Sequence, residues 1–380
     1  MEKRTWPSLG VQVSLLGYGG MRFPLKDSND PASIDKPAAK ALLQRTWEQG
    51  VNYFDTAWTY HGGQSETFLG EALKEFPRES YYLADKMPTW ELVQSLDDAE
   101  EIFSQQLQRC QTDYFDFYLM HNLNQDNYQN AEKIGLFEFL AEKKKKGYIR
   151  HIGFSFHDTP KLLEEIADAH PWDFAQIQLN YLDWSILEAE KQYNILNDRG
   201  IPVSVMEPVR GGMLARLNQE CADIFSQVDP APSQASWALR FAASFPGVMV
   251  VLSGMSNMEQ VEDNLNTFSS FKPLGPEEQS AVQQVSACFQ KTGVIPCTGC
   301  RYCADCPQGV NIARIFAIYN QFRLRKEPIF FRNDYRTLAE EEQAHNCIQC
   351  GNCETHCPQK ISIIELLREI NKEISPLLGR

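Results

Sequence analysis

Val13-Ser14-Leu15-Leu16-Gly17-Tyr18-Gly19-Gly20 is the stretch on which the fold turns. A short apolar run, a strand candidate over 13–16, enters a glycine-rich turn. An open sheet that takes a dinucleotide at its first turn needs G-x-G-x-x-G there, and Gly17, Gly19 and Gly20 lack that spacing. Seven more strand candidates follow at 51–55, 82–85, 115–120, 151–155, 175–179, 202–206 and 248–252. Helical periodicity separates them at 37–49, 65–74, 99–110, 131–146, 159–169, 186–198 and 234–244, and resumes at 257–265. Strands joined by crossovers of this length run parallel and right-handed. Eight such units suit an α/β fold closed on itself, a (β/α)8 TIM barrel. An open doubly wound sheet is the competing layout, and the missing glycine fingerprint counts against it.

Local punctuation agrees with this layout. Ser65, after Gly62-Gly63, reads as a helix start. Lys143–Lys146 followed by Gly147 reads as a helix end, with cations at the negative pole and glycine able to take the left-handed cap. The pattern ends near Phe271-Lys-Pro-Leu-Gly-Pro276. The expected domains are therefore a barrel over 1–275 and a smaller unit over 276–380, entered by a helix from Pro276 to about Phe289.

Composition removes several function classes. A net charge of −14 opposes nucleic-acid binding, which needs a basic surface. No apolar run approaches the length of a spanning helix or a signal peptide, so the expectation is a cytoplasmic protein with no membrane partner. Eight of the eleven cysteines lie between Cys297 and Cys357, which points to a metal or cluster role rather than a secreted disulfide framework.

In a barrel of this type the chemistry sits where strands end at the C-terminal face. Those ends supply Asp55 and Tyr60, then Lys86, then His121. Reducing a carbonyl needs hydride on carbon and a proton on oxygen. A phenol acidified by a nearby ammonium can give the proton, a carboxylate can place the ammonium, and an imidazole can orient the oxygen. Singly, each residue has an ordinary explanation in packing, capping or solvation. Their joint occurrence on successive strand ends is what points to a site. Trp58, Tyr181 and Trp184 read either as an apolar lining of the mouth or as rim packing.

Several segments resemble the aldo-keto reductase superfamily, in family order over roughly residues 1–270. They are Val51-Asn-Tyr-Phe-Asp-Thr-Ala-Trp-Thr-Tyr60, Ala84-Asp-Lys86, Asp116-Phe-Tyr-Leu-Met-His121, Ile152-Gly-Phe-Ser155, Ala175-Gln-Ile-Gln178 and Val251 through Asn264. The resemblance implies Asp55, Tyr60, Lys86 and His121 as a catalytic tetrad. It implies Ser155 and Gln176 at the nicotinamide carboxamide and Asn264 on the adenine side, with Arg210 a candidate near the pyrophosphate. Three departures stand out. Phe156 replaces an asparagine, Met206 takes a position that often holds a stacking tyrosine, and 254–264 contains no lysine or arginine. A 2′-phosphate usually meets such a cation, so NADP and NAD are both open.

Cys347-Ile-Gln-Cys350-Gly-Asn-Cys353-Glu-Thr-His-Cys357-Pro358 is C-x2-C-x2-C-x3-C-P, the bacterial ferredoxin run. Cys297-Thr-Gly-Cys300-Arg-Tyr-Cys303-Ala-Asp-Cys306-Pro307 repeats it with the last spacing one residue short. By the ferredoxin pattern Cys297, Cys300, Cys303 and Cys357 hold one [4Fe-4S] cluster, and Cys347, Cys350, Cys353 and Cys306 hold another. Structural zinc is the rival, as is a single cluster with a degenerate first motif. Helices expected at 312–325 and 337–345 make this a small, mostly α-helical ferredoxin-like domain. His345 and His356 read as neighbours of the clusters rather than ligands. The whole resembles the aldo-keto reductase subfamily that carries such a domain. It implies NADP- or NAD-dependent hydride transfer to a small-molecule carbonyl, or from an alcohol. The clusters would then serve electron transfer or structure, with an electron-transfer protein as a second partner. The alternative is a ferredoxin-linked electron-transfer or redox-sensing protein whose barrel mainly binds cofactor.

Overall fold

A computed structural model describes residues 1–27 and 30–379. The chain forms two compact units, Met1–Pro208 with Ala235–Gly275, and Val209–Gln234 with Pro276–Arg380.

In the first unit, β1 (Lys3–Trp6) and β2 (Val11–Ser14) form an antiparallel hairpin. Eight parallel strands then close a barrel: β3 (Leu16–Gly19), β4 (Tyr53–Asp55), β5 (Tyr82–Pro88), β6 (Phe115–Leu123), β7 (Ile149–Phe156), β8 (Phe174–Gln178), β9 (Val203–Met206) and β10 (Val248–Ser253). They neighbour in chain order, and β10 returns to pair with β3. The strands are buried along almost their whole length because side chains fill the barrel on one face and meet helices on the other. Val11 and Val13 of β2 share a buried cluster with Tyr53, Phe117, Phe174 and Met249. These residues lie early in their strands, so the hairpin plugs the N-terminal end and the chemistry is left to the other.

The first strand expected from sequence, 13–16, straddles two elements. Val11 and Val13 belong to the hairpin, and the barrel strand begins at Leu16. Gly20 follows it. Its N–H donates to the Asp55 carbonyl at 2.7 Å, and its own carbonyl accepts from the Ser65 hydroxyl at 2.9 Å. A Cβ there would lie 2.8 Å from that Asp55 oxygen, so the glycine brings two strand ends together rather than cradling phosphate. Ser65 is accordingly not the cap of its helix, Gln64–Leu73, which begins after Gly63 in the left-handed region. The helix expected over 131–146 is two, Gln125–Ile134 and Leu136–Lys145, broken at Gly135 with φ 73°. The lysine-rich end is as read, with Lys146 as C-cap and Gly147 at φ 87°.

The second unit is helical: Gln219–Val228, Pro276–Gln290, Ile312–Arg325, Pro328–Tyr335 and Ile363–Leu378 are its longer helices. Its core joins Ile315, Phe316, Phe331, Tyr335, Leu367 and Ile370, with six of the clustered cysteines packed against it. The expected helix at 337–345 is instead two single 3-10 turns, Glu340–Glu342 and Ala344–Asn346. Three consecutive glutamates offer no apolar face. Side chains satisfy the turn instead: Asn346 donates to the Glu340 carbonyl at 2.6 Å and Asn311 to the Glu342 carboxylate at 2.9 Å.

Residues 209–234, read from sequence as part of the barrel, group with the C-terminal residues. Gly211, at φ 63°, passes so close to the first cysteine loop that a Cβ would lie 2.2 Å from the Thr298 carbonyl. The helix Gln219–Val228 in this segment packs on Pro276–Gln290, where burial and the neighbouring Cys288 thiol push the Cys221 thiol up.

Candidate functional site

Asp55 ends β4, Lys86 lies in β5 and His121 in β6, three neighbouring strands, and Tyr60 opens the 3-10 turn Tyr60–Gly63 just beyond Asp55. Lys86 is fully buried. Its ammonium donates to Asp55 Oδ1 at 2.7 Å and to the Thr56 carbonyl at 2.6 Å. The same ammonium lies 4.8 Å from the centre of the Tyr60 ring. The His121 ring meets Tyr60 edge to face at 6.0 Å, with Trp90 5.3 Å away on another side. Thr89 anchors the His121 backbone, donating to its carbonyl at 2.5 Å. Strand register thus brings together all four residues read from sequence.

Their electrostatics differ from the sequence expectation in one respect. Burial first, then Asp55, Glu207 and Asp85, push the Tyr60 phenol well above its ordinary range, and only Arg22 pulls it down. The Lys86 ammonium is engaged by Asp55 and the Thr56 carbonyl, and burial outweighs any acidifying pull it has on the phenol. Among the described residues the Tyr60 hydroxyl makes no hydrogen bond. Burial also raises Asp55, against the pull of Lys86. Burial, followed by Lys86 and His157, holds His121 well below the usual imidazole range, so it is neutral at neutral pH. The site therefore presents a protonated phenol and a neutral imidazole to a bound oxygen.

Behind Lys86 lies a buried polar network. Gln106 donates to the Lys86 carbonyl and to Glu66, both at 2.9 Å, and accepts from Tyr118. Arg109 closes on the other Glu66 oxygen at 2.9 Å, and Asp85 accepts the Lys86 N–H at 2.8 Å. The Lys86 backbone is fixed from both sides. β4 ends at Asp55, so these side chains replace a strand partner.

Ser155 and Gln176 are register partners on β7 and β8. Gln176 Oε1 is buried without a hydrogen-bond partner among the described residues, and its amide nitrogen faces Met206 sulfur at 3.6 Å. An orphaned acceptor beside a hydroxyl fits a carboxamide. Asn264 is buried against Ser253, donating to its hydroxyl at 2.9 Å. Arg210 is buried in the second unit, beside the Gly211–Thr298 approach. Sequence reading missed Arg22 and Glu207, an ion pair at 3.1 Å linking the segments after β3 and β9. Both follow barrel strands, which was the available signal. Trp184 stacks on Phe245 at 4.5 Å, and Trp58 lies under the Arg109 guanidinium at 3.7 Å.

In the second unit the two cysteine motifs interleave. Burial pushes the Cys303 thiol up to about 12, and the thiols that act on it are Cys300, Cys297 and Cys357. Burial likewise raises Cys353 to about 11, with Glu354, Cys347 and Cys306 adding to it. Cys306, Cys347, Cys350 and Cys353 wall one apolar cavity with Val310 and Leu367. Four thiols around an apolar hollow fit an iron–sulfur cube held by thiolates. His356 bonds the Asn352 carbonyl at 3.0 Å and His345 lies 3.3 Å from Glu340.

A parallel eight-stranded barrel with lysine, aspartate, tyrosine and histidine at its strand ends, joined to a dicluster cysteine module, defines a redox protein. The aldo/keto reductase family model matches residues 15–287, and a 4Fe-4S dicluster domain model matches 296–362. The chain belongs to the aldo/keto reductase family of oxidoreductases and carries a C-terminal 4Fe-4S dicluster domain. It is 24% identical over 301 residues to the L-galactose dehydrogenase of Arabidopsis thaliana, covering 74% of this chain and 92% of that one. It is 26% identical over 315 residues to the NADH-specific methylglyoxal reductase of Escherichia coli, covering 70% and 93%. Among solved structures, the holo form of an aldo-keto reductase from Bacillus halodurans superposes with a TM-score of 0.63 at 26% identity, covering 75% of this chain and 96% of that one. Among the described residues no helix is long and apolar enough to cross a membrane.

Proposed function

We propose that the barrel reduces a small-molecule ketone or aldehyde with a nicotinamide dinucleotide, or oxidises the corresponding alcohol, with Tyr60 as general acid and base. The observation that carries this reading is the fully buried Lys86, clamped by Asp55, with the Tyr60 and His121 rings beside it. A buried ammonium is costly unless paired, and here it is paired in a way that shapes a proton-donating corner. The dinucleotide supplies the hydride when bound. Ser155 and Gln176 would hold its carboxamide and Asn264 its adenine side.

Tyr60, protonated at neutral pH, gives its proton to the oxygen as hydride reaches the adjoining carbon. Neutral His121 has one N–H with which to orient that oxygen. The segment 254–264 has three carboxylates and no lysine or arginine. One of the three, Glu262, is engaged by Arg45 at 2.6 Å and 3.0 Å. That charge balance favours an unphosphorylated ribose, so NADH should bind more tightly than NADPH. The Escherichia coli relative is named as NADH-specific, although solved neighbours from Klebsiella pneumoniae hold NADP or NADPH.

The clusters take electrons singly whereas nicotinamide passes two as hydride. They would serve an electron-transfer partner or brace the second unit. Tyr60→Phe should lower NADH-dependent carbonyl turnover by about 10²- to 10⁴-fold with iron and sulfide content unchanged after anaerobic purification. Turnover retained within a few fold would remove Tyr60 from the proton path.

A further inference from the structure

Eight of the eleven cysteines belong to the cluster motifs and Cys110 lies buried against Asp85, which leaves Cys221 and Cys288. Both are free thiols of the second unit, although strand β10 and the helices Gln234–Ala243 and Met258–Ser269 separate them in the chain. The helix Gln219–Val228 buries only Cys221 and Phe225, four residues apart and therefore on one face. Pro276–Gln290 is the helix it packs on, so that face is turned toward it. On Pro276–Gln290, Ala281 and Val285 form one buried stripe, and Cys288 continues it at the next helical step. Burial, then the Cys288 thiol, pushes the Cys221 thiol up. Helix packing and this mutual influence place the two sulfurs side by side.

Neither thiol has a task in the cluster motifs or among the barrel's strand-end residues, and the two differ in access. Cys288 is half-buried and open to a small solute, whereas Cys221 is fully enclosed.

We propose that Cys288 and Cys221 form a dithiol site that reduces a hydroperoxide by two electrons and becomes a disulfide joining the two helices. Cys288 attacks one peroxide oxygen as a thiolate. The S–O bond forms, the O–O bond breaks, and the other oxygen leaves as an alcohol, or as water, carrying the thiol's proton. The Cys221 sulfur then attacks the sulfenic acid on Cys288. The S–S bond forms, the S–O bond breaks, and the hydroxyl leaves as water with the Cys221 proton. Two thiols have lost two electrons to one hydroperoxide. The disulfide ties the 209–234 segment to the helix that leads into Cys297. Gly211 of that segment already abuts the Thr298 carbonyl, so the bond braces the first cysteine loop from both sides. This chemistry is separate from the nicotinamide reading of the barrel.

The test uses the full chain with its clusters intact, purified anaerobically and treated with one equivalent of tert-butyl hydroperoxide. The protein is then denatured in an alkylating agent, digested without reductant and read by mass spectrometry. The Cys221 and Cys288 peptides should appear joined, with iron content unchanged, and dithiothreitol should separate them. Cys221→Ala and Cys221→Ser, accepted where their iron counts match wild type, should stop at the sulfenic acid, trapped on Cys288 by dimedone. Cys288→Ala should leave Cys221 unlabelled under the same treatment. If the hydroperoxide is consumed while both thiols are still alkylated singly, the proposal is overturned. A disulfide from Cys288 to a motif cysteine, with loss of iron, overturns it as well and assigns the oxidation to the clusters. Dimedone on Cys221 in Cys288→Ala would remove Cys288 as the thiol that meets the peroxide.

Discussion

The Asp55–Lys86 pair shows how a single residue's environment decides its role. Both side chains are shut away from solvent, and their attraction is weighed against two desolvation costs. Removing one partner strands the other. Asp55→Asn and Lys86→Met should each lower unfolding free energy by about 3–5 kcal/mol, whereas the double variant should cost much less than the sum. A denaturant series on the four proteins checks this, and additive losses would mean that the two are not coupled.

Tyr60 and His121 move in opposite directions, and the signs can be worked out. Tyr60 is raised above its unfolded value of about 10. The stability it confers is complete below about pH 10 and fades as pH climbs toward its folded value. His121 is depressed, so its contribution is complete above about pH 6.5 and fades as pH falls. Activity should follow the same window. kcat/KM for the nucleotide, which reports the free enzyme, should run flat from about pH 7 to about pH 10. A basic limb near pH 8 would restore the lysine-acidified phenol expected from sequence. In the structure burial and the nearby carboxylates outweigh any such pull on Tyr60. Sequence shows that a lysine and a tyrosine share a barrel end, but not that the ammonium is spent on a carboxylate and a carbonyl.

At the scale of elements, the eight barrel strands were legible because both their faces are apolar, which leaves short uninterrupted runs. Strand ends then pointed to Asp55, Tyr60, Lys86 and His121 without further help. The hairpin was less legible, since Val11 and Val13 alternate into the same apolar run that feeds β3. Helical periodicity carries across Gly135, so a break made by one left-handed glycine left no mark in it. Arg22 and Glu207 meet only because the barrel closes, across a separation of 185 residues and with β10 between their strands. Gly20 tests whether strand ends set the site. Gly20→Ala puts a methyl group 2.8 Å from the Asp55 carbonyl and 3.0 Å from the Ser65 hydroxyl. Overpacking of this kind costs about 1–3 kcal/mol. Because the displaced oxygen belongs to Asp55, turnover should fall together with melting temperature. A variant that loses stability but keeps kcat would show that Asp55 tolerates the shift.

For the whole molecule, the cysteine count was legible as a dicluster module. The grouping of the second unit was not, since the helix Gln219–Val228 lies between two barrel strands in sequence yet packs with Pro276–Gln290. The cysteines pose the same problem of distance along the chain. Cys357 joins the thiols of the first motif and Cys306 those of the second, so each cluster would bridge the roughly forty-residue segment between the motifs. Local pairing within each motif would leave that segment unbridged. The two schemes differ in how alanine variants combine. Under interleaving, Cys303 and Cys357 serve one cluster, so Cys303→Ala/Cys357→Ala should lose no more iron than either single variant and retain about four of eight atoms per chain. Cys353→Ala/Cys357→Ala should lose both clusters and with them nearly all iron and sulfide. Anaerobic metal and sulfide counting reads the difference directly, and the opposite pattern would return Cys357 to its own motif. Loss of both clusters should also lower the melting temperature of the second unit's transition, because its core packs directly against the thiols that hold them.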